Sequence, residues 1–129
     1  MDGKHVKYLT GAEEAALHEA KKILLERWPI KSVILFGSKA RGDFDDESDL
    51  DVLIVVRMSS GDYWQYRDEI IDIIWEIELA HNIVTSLILK DEAEYAIMRQ
   101  HGLLLARNIE HDGIELWTTQ SSEPTFERG

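Results

Sequence analysis

The sequence contains no cysteine, which excludes disulfide bonds and thiolate chemistry and agrees with a reducing compartment. It also lacks any long hydrophobic run. The longest, Val52 to Val56, is far short of the ~20 residues that cross a bilayer. The first residues, Met1-Asp2-Gly3-Lys4-His5, lead into no apolar stretch, so no secretory leader is expected and the cytoplasm is the expected location. Positive charge is scarce: 14 basic side chains face 25 acidic ones, for a formal net charge of −11. Such a field repels a phosphate backbone, making nucleic acid a poor partner and a divalent cation or a basic protein a better one. No internal repeat or low-complexity tract is visible.

What is present fits one α/β domain. A chain of 129 residues with 44% hydrophobic and 30% charged residues can bury a single core. We expect that domain over residues 1–117 and a tail without periodic apolar residues over 118–129. Thr10 and Glu13 have capping-box spacing, and Leu17, Ala20, Ile23, Leu24 and Trp28 then recur on one helical face before Pro29. Val33–Phe36 and Leu50–Val56 are short apolar runs that read as buried strands. Ser59-Ser60-Gly61-Asp62 supplies cap chemistry for a long helix to about His81. Ile83–Leu89 returns to strand character, Asp91 caps a further helix, and a last helical stretch from Leu103 to His111 stops at Gly113. The order predicts a small α/β (α+β) sandwich with a mixed twisted sheet of about three strands packed with helices.

The chemistry is concentrated in Gly37-Ser38-Lys39-Ala40-Arg41-Gly42-Asp43 and Ser48-Asp49-Leu50-Asp51. If the first two strands are antiparallel neighbours, the end of one lies beside the start of the other, and Gly37-Ser38 meets Asp49 at a single sheet edge. Asp49 and Asp51 are two residues apart on a strand, so both carboxylates leave the same face, with Cα atoms roughly 6.5–7 Å apart. Like charges there repel unless a hard cation joins them, and Mg²⁺ shared with substrate phosphates is the natural resolution. Gly37 clears space for a phosphate, and Ser38 offers a hydroxyl and an amide at the start of a short helical turn. Arg41 either neutralises a terminal phosphate or pairs with Asp43 or Asp45. A Gly-Ser turn or an Asp-x-Asp pair alone is usually bland; the two together, each at the end of an apolar strand, point to a site.

Other candidates carry less. His5, His18, His81, His101 and His111 show no ligand spacing on one element. Trp28, Trp64, Trp75 and Trp117, with Tyr63 and Tyr66, are expected to be packing residues rather than a base-stacking platform.

Residues 33 to 56 resemble the signature of the polymerase-beta-type nucleotidyltransferase superfamily in its minimal, stand-alone form. The likeness rests on Gly37, Ser38, Ala40, Arg41, Gly42, Ser48, Asp49, Leu50 and Asp51. A weaker likeness of Leu105–Glu110 and Gly113–Leu116 to the C-terminal helix of these domains extends it over most of residues 12 to 117. The resemblance implies transfer of a nucleoside monophosphate from a nucleoside triphosphate to a hydroxyl acceptor, with Mg²⁺ ions clamping the phosphates. Asp49 and Asp51 would be the catalytic metal ligands; Gly37 and Ser38 would hold the β and γ phosphates, assisted by Arg41.

One departure stands out. Catalytic relatives carry a third carboxylate near the start of the next strand, where this sequence aligns Ser86, with Thr85 as the near neighbour. Asp91 and Glu92 lie beyond the strand's far end, and Glu76 and Glu78 belong to the preceding helix. Two readings follow: a transferase acting on a Mg-nucleoside triphosphate, or a weak or inactive antitoxin or binding subunit that partners a small helical protein of the HEPN type. The sequence leaves a homo-oligomer open.

Overall fold

The computed structural model describes residues 8–45, 49–57 and 60–118. The motif residue Ser48, the cap residue Ser59 and the expected tail beyond Thr118 lie outside them. The first helix, α1 (Gly11–Arg27), begins with the expected capping box: the Glu13 amide donates to Thr10 Oγ1 at 3.1 Å, and the Thr10 amide donates to Glu13 Oε1 at 2.9 Å. Two orphan donors are satisfied reciprocally, and Pro29 follows the C-cap residue Trp28. The rest of the chain runs β1 (Ile30–Phe36), α2 (Ser38–Arg41), β2 (Leu50–Val56), α3 (Ser60–His81), β3 (Thr85–Asp91), α4 (Glu92–Gln100), α5 (Leu104–Asp112) and β4 (Ile114–Thr118).

The four strands form one mixed sheet in the order β3-β2-β1-β4. Strand β1 pairs antiparallel with both β2 and β4, while β2 and β3 are parallel, joined by α3 as a crossover. On one face Val33, Leu35, Leu50, Val52, Ile54 and Val56 pack against Ala16, Ala20 and Leu24 of α1 and Ile70, Ile74 and Ile77 of α3. On the other, Ile34, Phe36, Leu53 and Val55 pack against Ile109, with Tyr95 and Leu105 beside them. Both faces of β1 and β2 are therefore covered, which is why their sequences are continuous apolar runs rather than alternating ones.

Three expectations need correction. The sheet has four strands, not three: residues 114–118, expected to belong with the C-terminal helical region, form β4. Gly113 separates helix from strand because a Cβ there would stand 2.3 Å from the Ile109 carbonyl and 2.8 Å from Ile34 Cγ2. The third strand starts at Thr85 rather than Ile83, because Asn82 takes a left-handed φ of 54° and the Ile83 amide returns to the Glu78 carbonyl. Trp28 and Trp117 are buried as expected, but Trp64 and Trp75 are 67% and 60% exposed. Ile70, Ile74 and Ile77 already fill the core-facing side of α3, leaving no room there for either indole.

Candidate functional site

The register of β1 on β2 sets the site. Phe36, the last residue of β1, pairs with Asp51, so the following Gly37 arrives directly over the Asp51 side chain. A Cβ on Gly37 would lie 2.1 Å from Asp51 Oδ2, and its φ of +77° is one that side-chain-bearing residues rarely adopt. Space and backbone both demand glycine here. The carbonyl of Gly37 then accepts the amides of Ala40 and Arg41, each at 3.0 Å, closing α2 into a tight turn with Ser38 at its start.

Asp51 shares a sheet face with Leu53 and Val55, opposite to Leu50 and Val52, and strand alternation puts Asp49 on that face too. Partial burial pushes the Asp51 carboxyl up from its usual range, the neighbouring Asp49 charge pushes it the same way, and Arg41 opposes both. The three groups therefore act on one another electrostatically at one end of the sheet.

Ser86 completes the cluster. It is the parallel partner of Asp51 on β3, and its Oγ donates to Asp49 Oδ2 at 3.3 Å. Thr85 is committed elsewhere: its amide and its Oγ1 both donate to Glu78 Oε2, at 2.7 and 2.6 Å. Of the two residues weighed for the third position, Ser86 is the one beside the carboxylates, and Glu78 is spent on starting β3. Asp91 pairs with Val56 at the opposite end of β2, far from the cluster. Among the described residues no group of three or more acidic, histidine or cysteine side chains is placed to hold a metal.

Arg41 is held by two carboxylates. Its Nε donates to Asp43 Oδ2 at 3.1 Å, as one sequence reading had it, and its Nη1 donates to Asp112 Oδ2 at 3.3 Å. The Asp43 hydrogen bond is the main influence raising the guanidinium's pKa. The His111 hydrogen bond, at 2.8 Å, is the main influence lowering that of Asp112, with Arg41 adding to it. The end of α5 thus reaches the motif, a contact that spans 71 positions in sequence and leaves no local pattern.

Lys39 is the residue that the sequence reading passed over. It lies inside the motif yet is only 5% exposed, and its Nζ donates to Glu13 Oε1 at 3.1 Å, with Glu13 itself 8% exposed. The ammonium also sits 4.3 Å from the centre of the Phe44 ring. One carboxylate, Glu13, therefore caps α1 and anchors α2 simultaneously. The only hint in the sequence is a lysine flanked by residues that all have roles.

With this geometry in hand, the comparisons with known proteins are specific. Residues 17–114 match the family described as nucleotidyltransferase domain. A Methanocaldococcus jannaschii protein assigned as a protein adenylyltransferase is 34% identical over 107 residues, covering 81% of this chain and 98% of that relative. Among solved structures, a Sulfolobus solfataricus protein assigned as a nucleotidyltransferase superposes with a TM-score of 0.50 at 21% identity, covering 91% of this chain and 84% of its own. A toxin–antitoxin structure with AMP-PNP has the same TM-score at 17% identity, covering 84% and 75%. These two show the fold; the family match and the 34% identity over nearly a whole relative go further. The chain therefore belongs to the nucleotidyltransferase-domain family.

Proposed function

We propose that this protein binds a Mg²⁺-nucleoside triphosphate between the Gly37-Ser38 turn and the Asp49–Asp51 pair, and transfers its nucleoside monophosphate to a hydroxyl on a protein partner. The observation that carries the reading is the packing of Gly37 onto the Asp51 carboxylate, which brings the Gly37-Ser38 turn against two like charges at one end of the sheet. The residues suit a divalent cation: burial first and the Asp49 charge second raise Asp51, and a bound cation would offset both. Held by Asp49 and Asp51, it would neutralise the phosphates and the departing pyrophosphate. In the transfer, the acceptor oxygen bonds to the α phosphorus, the bond to the bridging oxygen breaks, and the acceptor proton passes to water. Gly37 and Ser38 orient the β and γ phosphates. Arg41 joins them only by exchanging Asp43 or Asp112 for phosphate oxygens. The M. jannaschii relative, assigned as a protein adenylyltransferase, supports ATP as donor and a protein as acceptor.

Ser86 favours a second reading, in which binding outlasts chemistry and the chain serves chiefly as an antitoxin subunit for a HEPN-type partner. A hydroxyl hydrogen-bonded to Asp49 is no general base near neutral pH. The toxin–antitoxin structure with AMP-PNP shares this fold, which supports the same direction. The cytoplasm, suggested by the absence of cysteine, suits either reading.

Calorimetry with ATP, GTP, CTP and UTP in Mg²⁺ tests the site. At least one nucleotide should bind, and Asp49→Asn/Asp51→Asn should abolish that binding. Equal binding to the double variant would remove the site assignment. Incubation with labelled ATP, with and without the product of the neighbouring reading frame, then separates the transferase from the binding subunit.

A further inference from the structure

Helix α3 is apolar on two sides. One carries Ile70, Ile74 and Ile77 into the core. The other carries Trp64, Ile71, Trp75 and Leu79, which fall within an arc of about 80° and lie roughly 130° round the helix from the first set, with the exposed carboxylate of Asp68 set among them. Trp64, Trp75 and Leu79 are 67%, 60% and 64% exposed, and the stripe is about 22 Å long. A surface protein helix rarely spends two tryptophans on water, and tryptophan is the residue most enriched where partners bind. At its N-terminal end the stripe meets a groove of ≈ 290 Å³, where Trp64, Arg67 and Ile71 face Leu87, Ile88 and Leu89 of the edge strand β3.

Charge identifies the occupant. Asp68, Glu69, Asp72, Glu76 and Glu78 all lie on α3, and its Arg67 is already engaged, 3.3 Å from Asp68 and stacked 5.8 Å from the Trp64 ring. A second copy of the chain would bring the same carboxylates face to face, within a molecule of net charge −11. We infer that the Trp64–Trp75–Leu79 face of α3 is the docking surface for a different protein, one that presents a helix with apolar anchors flanked by lysine or arginine.

Position gives the surface a purpose. Leu79 adjoins Glu78, whose carboxylate holds Thr85, and the next residue, Ser86, is bonded to Asp49. A partner lying along the stripe therefore ends at the same end of the sheet as the aspartate pair but on the opposite face, and a hydroxyl on it becomes the acceptor only by reaching around the edge strand β3. That last step rests on the proposed transfer; the docking surface does not.

The test uses a synthetic amphipathic helix of leucine and lysine as probe, with a leucine–glutamate twin. Binding is read from tryptophan fluorescence and from the indole N–H signals of Trp64 and Trp75. The lysine peptide should bind and shift both indoles, weakening about tenfold between roughly 50 and 300 mM salt, and the glutamate twin should not bind. Trp75→Ser/Leu79→Ser should lose about tenfold or more in affinity for the peptide while binding Mg-ATP as the parent does. Asp49→Asn/Asp51→Asn should keep the peptide, so that loss of the nucleotide site and loss of the docking surface register separately. Equal binding of the twin, or undiminished binding to Trp75→Ser/Leu79→Ser, would overturn the inference. So would a homodimer of the parent chain that Trp75→Ser/Leu79→Ser dissolves, since the face would then belong to a second copy.

Discussion

Lys39 and Glu13, 26 positions apart, form a buried ion pair that fastens the short helix α2 to the beginning of the first helix. Removing one partner strands the other charge in a site that is almost closed to water. Lys39→Met should therefore destabilise the protein by about 3–5 kcal/mol, lowering Tm by ten degrees or more. Lys39→Met/Glu13→Gln should recover a large part of that loss, because no charge is left behind and the amide can still accept from Thr10. A thermal double-mutant cycle measures the coupling, and additive losses would show the pair to be unimportant.

Asp51→Asn should stabilise the metal-free protein slightly, by about 1–3 °C in Tm. The sign follows from the raised Asp51 pKa. In the ordinary carboxylate range the unfolded chain ionises first while the folded one still holds its proton, so stability falls as pH rises through that window to the folded pKa. The advantage of Asp51→Asn should accordingly be absent in strong acid and full near neutrality. Melting curves across pH decide it, and a large neutral-pH loss in the variant would make the carboxylate structural.

Gly37→Ala should lose Mg-dependent nucleotide binding. The new methyl group would have to share space with Asp51 Oδ2 on a backbone of φ 77° and ψ −158°, a region essentially confined to glycine and costing other residues about 1–3 kcal/mol. Calorimetry on the folded variant is the check, and parent-like affinity would mean that the Gly37-Ser38 turn does not hold the nucleotide.

Transfer by the isolated chain should be weak, and Ser86→Asp should increase it by about a hundredfold or more, within the ~10²–10⁴ range that a general base supplies. Its motive is the 3.3 Å contact of Ser86 with Asp49 and its register with Asp51. Labelled nucleotide, the genomic neighbour and the two forms of the chain make up the assay. Robust transfer by the parent to a small acceptor would refute the first half; a variant that binds nucleotide yet gains no activity would refute the second.

Much of this architecture was legible because its signals are local. Thr10 and Glu13 are one helical turn apart, Asp91 and Glu94 repeat the pattern, and both capping boxes form. The meeting of Gly37 with the aspartates followed from pairing two apolar runs antiparallel, and the register does bring Phe36 to Asp51. What escaped was long-range. Arg41 finds Asp112 and Lys39 finds Glu13 only after the sheet and helices have assembled, so neither pairing leaves a periodicity to read. Likewise Trp64, Ile71 and Trp75 repeat at helical spacing among themselves, as the core isoleucines do, and periodicity alone cannot say which of two apolar stripes faces inward. β4 was missed because its five residues follow closely on a helix and owe their strand form to the vacant side of β1.

That last pairing ties the order of folding to the order of synthesis. β1 lies inside the sheet, yet one of its two neighbours, β4, comes from residues 114–118. Until those residues emerge, Ser32–Leu35 has an open row of backbone donors and acceptors, on a strand that is also among the most apolar in the chain. The growing polypeptide thus carries an open apolar edge until residues 114–118 have been made, and closing it requires a contact of high sequence separation, which is slow to form. A chain interrupted before Ile114 would leave that edge uncapped. The last strand is, in this sense, the molecule's own chaperone for its first.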